Sequence, residues 1–504
     1  MVKGRENDKE RLSSLKEKIL QAAYPSQDEL ERLREATEGL LADARSVLKE
    51  LDLEEVKPMI VGSVAKMTMT KDPDMDLFLI FPAGWEDKDL ESDGLEVGQR
   101  LLTRPRKRYT QHPYLTGEHE GISCDIVPSR IIEPGQHIST AVDRTPLHTE
   151  YINRRISEKQ RKEVVLLKSF LKGIGSYGAE DTVQGFSGYL TELLILRYGD
   201  LQGVLRALAG TGPGIDAPGG CEQIDENDIR GTPELIITFD KEGSYLDEPR
   251  SREHYARRFR KDPLVVIDPV DSDRNVASPI SEGTLSYTKK AANRFIRDPT
   301  ELFFHPFSKR PLRPEVHDHK NPSSRDMDLL SLQVPDGDPG IVITQLRSSL
   351  RKLKAHLERE GFEKVIVRFL MVVPRENDID RSYLKARYCW FGDVGSPVFI
   401  VMIRTEPVEL SGKYRHWGPP PDNPRVKDFK KKWGEDAKVD DTKGRTYVMR
   451  GREHTRSLPI IEDFWRAAVH GSLFKESSVT AAEPRDIGPL FIRVLNGDLD
   501  PWTR

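Results

Sequence analysis

The chain has 504 residues, 32% charged and 37% apolar, with a formal net charge of −4 at pH 7. That length is too great for one core, and a length prior gives about three domains. The near balance of charge excludes a globally basic nucleic-acid binder, so any RNA contact must be a local patch. Three widely separated cysteines, Cys124, Cys221 and Cys389, support neither a disulfide framework nor a zinc site, and they fit a reducing cytoplasm. The charged opening Met1–Arg11 lacks the apolar stretch of a secretory signal, and no apolar run approaches the ~20 residues of a membrane helix. A cytoplasmic protein without a membrane partner is expected.

Leu12, Leu15, Ile19 and Ala23 keep helical spacing. Ser26 and Glu29, following Pro25, form a capping-box pattern that opens a second helix. Its inward side is Leu30, Leu33, Leu40, Leu41, Ala44, Val47 and Leu48, a plain core stripe. Met59 to Ser63 then reads as a strand end turning into a helix. The N–H groups exposed at Gly62 and Ser63 suit a phosphate. Lys66 sits one helical turn past Ser63, placing both within reach of a triphosphate; alone it would be an ordinary surface lysine.

Asp74 and Asp76 are two apart and share a strand face. The apolar run Leu77 to Phe81 predicts a strand covered on both sides. Two carboxylates on one face repel, and a buried charge needs a partner. A hard divalent cation answers both, and Mg²⁺ is favoured because it combines a few carboxylates with substrate phosphates. Asp125, inside the apolar run Gly121 to Val127, supplies a third carboxylate from a neighbouring strand, enough to hold two metals for an in-line displacement. An isolated Asp-x-Asp is more often an ordinary strand end; the Gly-Ser before it and the third aspartate change that reading. Residues 94–102 read as a short helix. Arg108 to Tyr114 and Ile122 to Val127 read as two strands joined near Gly117, with Pro128 ending the second.

A helix carrying Val164, Val165, Leu167, Phe170 and Leu171 places Lys168 on an apolar face, where its ammonium must find a partner or snorkel. Gly173, Gly175 and Gly178 surround Tyr177 in a turn, and Gln184 to Leu190 opens a further helix. Residues 210–233 are rich in Gly and Pro and look like an inserted loop. Asp262 to Ile267 returns to a strand after the basic run Arg257, Arg258, Arg260 and Lys261.

The Gly-Ser, Asp-x-Asp and third-Asp pattern resembles the polymerase-β-like nucleotidyltransferase superfamily. Further motifs are similar to archaeal-type (class I) CCA-adding enzymes, the tRNA nucleotidyltransferases: Ala141 to His148, Leu166-Leu167-Lys168, Tyr177 to Glu180, Gly185 to Leu190, Asp268 to Asp271, and Arg274 to Ala277. They run in order from about residue 50 to 280 and stay recognisable in outline beyond 300. The resemblance implies metal ligands at Asp74, Asp76 and Asp125 and Mg²⁺ as cofactor. It implies triphosphate and sugar contacts from Ser63, Lys66, His148, Lys168 and Tyr177, with Arg274 near the incoming base. Two positions depart from the family: Asp74 stands where Glu is common, and Lys66 where Arg is usual, replacing a bidentate fork with a point charge. Taken singly, His148 and Tyr177 read as packed, hydrogen-bonded residues, and Arg274 as the partner of a nearby carboxylate.

After residue 280 the pattern changes. Thr284 to Arg297 is one helix, and a polar, Pro-rich stretch from His305 to Pro322 follows. Leu346, Leu350, Leu353 and Leu357 mark another helix, stopped by Gly361. Val365, Val367, Phe369 and Met371 alternate, as does Val398 to Ile403, which suggests a ferredoxin-like α+β body. Past Trp417-Gly418-Pro419-Pro420-Pro421, the cations Lys427, Lys430, Lys431, Lys432, Arg445, Arg450, Arg452 and Arg456 are interleaved with Tyr447, His454 and Trp465. Such a mixture suits phosphates and stacked bases, against the plainer reading of a solvated charged face.

The expected architecture is multidomain α+β: a nucleotidyltransferase palm (1–150), a helical central domain (151–282), an α+β body (283–420) and a tRNA-binding tail (421–504). The expected activity is untemplated addition of C, C and A to the tRNA 3′ end from CTP and ATP. The rivals are another RNA terminal nucleotidyltransferase, of poly(A) or oligoadenylate type, and a catalytically silent RNA-binding relative. The oligomeric state is left open, a homodimer included.

Overall fold

The computed structural model describes residues 2–109, 113–132, 140–180, 183–210, 236–238, 252–305, 327–334, 339–374, 389–392, 398–434, 436–468 and 480–481. The chain divides into two compact units, Met1–Arg310 and Pro311–Thr503.

In the first unit, α1 (Val2–Ala23) leads into α2 (Gln27–Glu50). The expected capping box is formed: Ser26 Oγ accepts from the Glu29 N–H, and the Glu29 carboxylate accepts from the Ser26 N–H at 2.6 Å. Leu33, Leu40, Ala44 and Leu48 are buried, with Leu30, Leu41 and Val47 packed at the margin. β1 (Lys57–Val61), the single turn α3 (Gly62–Ala65) and β2 (Met75–Phe81) come next. They are followed by α4 (Asp87–Leu101), β3 (Thr103–Tyr109), β4 (Pro113–His119) and β5 (Ile122–Arg130). The strands form one sheet in the order β1-β2-β5-β4-β3. β2 runs parallel to β5, so the two carry their side chains in the same direction at matched levels.

Four details differ from the sequence reading. Three strands, not two, follow α4. Gly117 lies inside β4, where a Cβ would meet the Thr103 carbonyl oxygen at 2.9 Å; the glycine marks the close approach of β3. The turn itself is at Glu120 and Gly121, both with positive φ. Nor does Pro128 end β5. It lies opposite Leu79 on β2, and β4 pairs with β5 only as far as Ile126, so no strand on that side needs the missing N–H. The helix expected at 94–102 also starts earlier, at Asp87, with Asp87 and Asp89 in a first turn that favours negative charge.

The rest of this unit is mostly helical: α5 (Ala141–Arg155), α6 (Glu158–Gly173), α7 (Gly188–Tyr198) and α8 (Leu201–Ala209). After β6 (Ile236–Ile237) and α9 (Arg252–Arg258) come β7 (Val265–Asp268), β8 (Asp271–Asn275) and α10 (Glu282–Arg297), and β6, β7 and β8 make a small sheet. Phe170 of α6 packs on Phe295, Phe303 and Phe304 at 5.4–5.9 Å between ring centroids. Most of the Gly/Pro-rich 210–233 segment and of the Pro-rich stretch after His305 lies outside the described residues.

The second unit opens with β9 (Met327–Gln333), α11 (Pro339–Glu360), β10 (Lys364–Pro374), β11 (Cys389–Gly392) and β12 (Val398–Glu406). An excursion follows: β13 (Lys413–Trp417), α12 (Val426–Trp433), β14 (Lys438–Asp440) and β15 (Arg445–Gly451). The chain then returns with α13 (Ser457–Ala468) and β16 (Thr480–Ala481). The main sheet has the order β11-β10-β12-β9-β16. Setting β11 aside, its β-α-β-β-α-β sequence and interleaved order are ferredoxin-like, as expected. Among the described residues after 421, α12, β14 and β15 belong to the excursion and α13 to the body. Ile461 and Trp465 of α13 are buried in the body core with Leu346, Leu350 and Leu353 of α11.

Among the described residues, no helix is long and apolar enough to cross a membrane.

Candidate active site

The chain crosses from β1 into α3 at Gly62, whose φ of +70° is comfortable only for glycine. Asp74 immediately precedes β2. Asp76 on β2 lies directly opposite Asp125 on β5. Because the pairing is parallel, both side chains project from the same face at one level. Burial, with Asp125 and Asp74 adding repulsion, pushes the Asp76 carboxyl up to about 7. Asp125 is also raised, mainly by burial. The adjacent Cys124 thiol is pushed up to about 12 by burial and the same three carboxylates. Three anionic groups thus share a partly dry place with too little positive charge to balance them.

Among the described residues, no three acidic, histidine or cysteine side chains are already gathered at ligand distance. The donor chemistry nevertheless fits a hard divalent cation. Asp74, Asp76 and Asp125 offer oxygen donors, and a cation among them would cancel the repulsion that raises Asp76.

A second cluster binds this sheet to the helical layer. Lys66, the residue after α3, pairs with buried Glu192 of α7 at 2.5 Å. Thr68 Oγ1 donates to the other Glu192 oxygen at 2.6 Å. Lys168 of α6 donates to the Thr68 carbonyl at 2.9 Å and lies 3.8 Å from Glu192. The ammonium expected to need a partner has two. Glu192 is held ionised: Lys66 and Lys168 outweigh the burial that would raise it. Burial takes the Lys168 ammonium down to about 8, although Glu192 opposes the shift. Tyr177 joins the group. A Cβ on Gly188, the first residue of α7, would lie 3.1 Å from the Tyr177 hydroxyl and 3.8 Å from Lys168 Nζ. Ser187 caps this helix by accepting from the Leu190 N–H.

A third cluster is built on Asp268, at the end of β7 and fully buried. His148 Nε2–H donates to it at 2.8 Å, Arg274 Nη1 at 2.7 Å, Tyr189 hydroxyl at 3.1 Å and the Val270 N–H at 3.1 Å. Burial alone would raise this carboxyl; His148, Arg274 and the Val270 N–H together take it down to about 2. His148 is pushed down by burial and stands neutral, its ring stacked on Tyr189 at 3.8 Å. Lys66 Nζ lies 5.8 Å from the Tyr189 ring centroid, which joins the second cluster to the third.

The sequence-predicted residues therefore assemble in two steps. Gly62, Asp74, Asp76 and Asp125 fall on the part of the sheet built by β1, β2 and β5. Lys66 and Lys168 are held by Glu192, and His148 and Arg274 by Asp268, two carboxylates to which the sequence reading gave no role, while Tyr177 lies across Gly188 from Lys168. Tyr189 and Thr68 were likewise missed. The available signal was a single acidic residue inside each of two largely apolar runs, Leu190–Ile195 and Leu264–Val270.

In the second unit, Lys430, Lys431 and Lys432 lie on α12. Trp433 has Arg450 and Lys432 within 4.8 and 5.0 Å of its ring centroid. Arg415 lies 4.7 Å from the Tyr447 ring and Lys443 4.8 Å from the Trp417 ring. Arg452 is committed within the unit: it lies 4.8 Å from the Tyr414 ring and 3.6 Å from Glu360.

Residues 41–148 match the family described as "Nucleotidyltransferase domain", and residues 162–305 match "tRNA nucleotidyltransferase, second domain". A CCA-adding enzyme of Thermoplasma volcanium is 34% identical, over 82% of this chain and 80% of its own. One from Thermoplasma acidophilum is 32% identical, over 83% and 81%. One from Haloarcula marismortui is 35% identical, over 69% and 67%. Among solved structures, a cytoplasmic RNA terminal U-transferase is 14% identical with a TM-score of 0.40, covering 60% of this chain and 100% of that one. That likeness is too low to bear on function.

Proposed function

The chain belongs to the archaeal family of CCA-adding tRNA nucleotidyltransferases, and we infer from that premise how its own residues carry out the addition. It is an enzyme that builds the CCA end of tRNA and works with a divalent metal. The finer reading is that the donors are CTP and ATP, that the cation is Mg²⁺, and that Asp74, Asp76 and Asp125 hold it. The observation that supports this best is the parallel register that sets Asp76 beside Asp125.

Bound there, the cation supplies charge to activate the acceptor hydroxyl and to offset the leaving pyrophosphate. The chain's own groups do the positioning. The Gly62–Ser63 turn presents backbone N–H groups to the triphosphate. Lys66, Lys168 and the Tyr177 hydroxyl add positive charge and a donor on the helical side, so that phosphate charge is met without reorganisation. Neutral His148 offers a polar edge, and Arg274, clamped by Asp268, presents its remaining N–H groups to the base. Lys430, Lys431, Lys432 and Arg450 contact the tRNA backbone, while Arg452 contributes through packing.

The experiment uses a tRNA transcript lacking CCA, a divalent cation and each labelled triphosphate separately, with the wild type and Asp125→Ala. C must enter first, A must enter only after C, and Asp125→Ala must be inactive. Equal entry of all four nucleotides would favour a generic terminal transferase.

A further inference from the structure

The row that carries the carboxylates continues beyond them. Val61 lies opposite Asp76, Asp76 opposite Asp125, Asp125 opposite Thr116, and Thr116 opposite Arg106. One transverse line thus crosses all five strands, from the Gly62 turn at one end to an arginine at the other. At the usual strand spacing, Arg106 stands roughly 10 Å from Asp125. Arg108, two residues further along β3, shares that face and lies opposite Tyr114. Its charge already reaches the site, where it opposes the burial that raises Asp125.

β3 is an edge strand, and Arg104, Arg106 and Arg108 are all exposed on it. Among the described residues, no ion pair engages these three side chains. Unpaired arginines on the face of a carboxylate cluster call for an anion. The incoming triphosphate is not that anion, because its cradle is at the opposite end of the row, next to β1. Phosphoryl transfer places the attacking and leaving oxygens roughly in line, on either side of the reacting phosphorus. A leaving pyrophosphate on the β1 side therefore leaves the β3 side for the attacking hydroxyl and the strand that bears it.

We propose that the edge strand β3 is a binding surface for the acceptor strand of the RNA, with Arg106 and Arg108 holding the backbone phosphates next to the reacting 3′ end. This rests on the tRNA reading above. The surface is distinct from the basic excursion in the second unit, and it reads charge, not sequence. The competing account is protection of an exposed edge. Pro105, the charges and the irregularity between Thr103 and Arg106, with Arg104 at φ +52°, all discourage strand pairing between molecules.

The test measures addition of labelled CTP to a duplex RNA minihelix whose 3′ end lacks CCA, over a range of salt. In the full-length Arg106→Gln/Arg108→Gln variant, KM for the minihelix should rise at least tenfold, with KM for CTP within twofold of wild type. The slope of log KM against log salt should fall by about 1.4, at about 0.7 per lost phosphate contact. Arg106→Lys/Arg108→Lys should restore most of that slope. Independently, a photoreactive nucleotide at the minihelix 3′ end should crosslink wild type within residues 103–109, a measurement that does not depend on the variant's folding. Unchanged minihelix KM and slope, with self-association of the Gln variant, would mean edge protection only and overturn the proposal. So would crosslinks confined to other segments, or equal rises in both KM values. A wild type that adds nothing to the minihelix fails the tRNA reading instead.

Discussion

A Cβ placed on Gly62 would stand 2.0 Å from the Asp76 carboxylate oxygen Oδ2. The turn proposed to meet phosphate and the carboxylate proposed to meet the metal therefore occupy one space. Adding a methyl group there displaces Asp76, and it also strains a backbone at φ +70° by about 1–2 kcal/mol. Gly62→Ala should lower kcat for CTP addition at least a hundredfold while the melting temperature falls only a few degrees. Comparable turnover in Gly62→Ala and wild type would separate the turn from the metal site.

Asp76→Asn removes a charge from a cluster whose members repel. Addition should be abolished, with tRNA affinity within threefold of wild type by filter binding. Without divalent cation, the variant should melt at the same temperature as wild type or higher, because it relieves Asp76–Asp125 repulsion. A large destabilisation without cation would show that Asp76 supports the fold through contacts other than the metal.

Lys168, if it meets the triphosphate as proposed, should give nucleotide binding a pH dependence. Burial lowers its folded-state value to about 8, so above that pH the ammonium progressively loses its proton and its attraction for the triphosphate. KM for CTP should rise above pH 8. Glu192 raises Lys168, so Glu192→Gln should move the inflection to lower pH. Lys168→Arg stays charged and should abolish the inflection. A CTP KM that is flat to pH 9.5 in wild type would exclude Lys168 from the triphosphate site.

Asp268 has no predicted contact with substrate, yet it holds Arg274 and His148. Asp268→Asn and Arg274→Ala should each raise misincorporation of U and G relative to C. Their effects should be strongly non-additive, since both disrupt one unit. Simple additivity in discrimination would mean that the clamp does not position Arg274.

The second unit makes a separate demand. Neutralising Lys430, Lys431 and Lys432 together should raise KM for tRNA and flatten its salt dependence, leaving KM for CTP nearly unchanged. Identical salt slopes would make these lysines a solvated face.

The palm was legible because its signals are local. A capping box, a two-residue carboxylate spacing and an apolar run each declare themselves within a few positions. Lys168 was legible as a problem, a charge on an apolar face, but its solution was not, because Thr68 and Glu192 lie far from it in sequence. Gly117 misled for the same reason: a glycine announces either a turn or a close approach, and only the position of Thr103 decides between them. The return of α13 and β16 to the body was hidden because β16 spans only Thr480–Ala481, too short for any periodicity. Asp268 and Glu192 were visible as acidic residues in apolar runs, but their partners come from other elements.

On this reading the enzyme adds C, C and A, in that order, and then stops. The most direct test supplies all four triphosphates to transcripts ending before CCA, after the first C and after the second C, and sequences every product end. The account predicts that all three converge on a single terminal CCA, with no extension beyond A and with no product from Asp76→Asn. Homopolymeric tails of A or U, or continued growth past the first A, would contradict it.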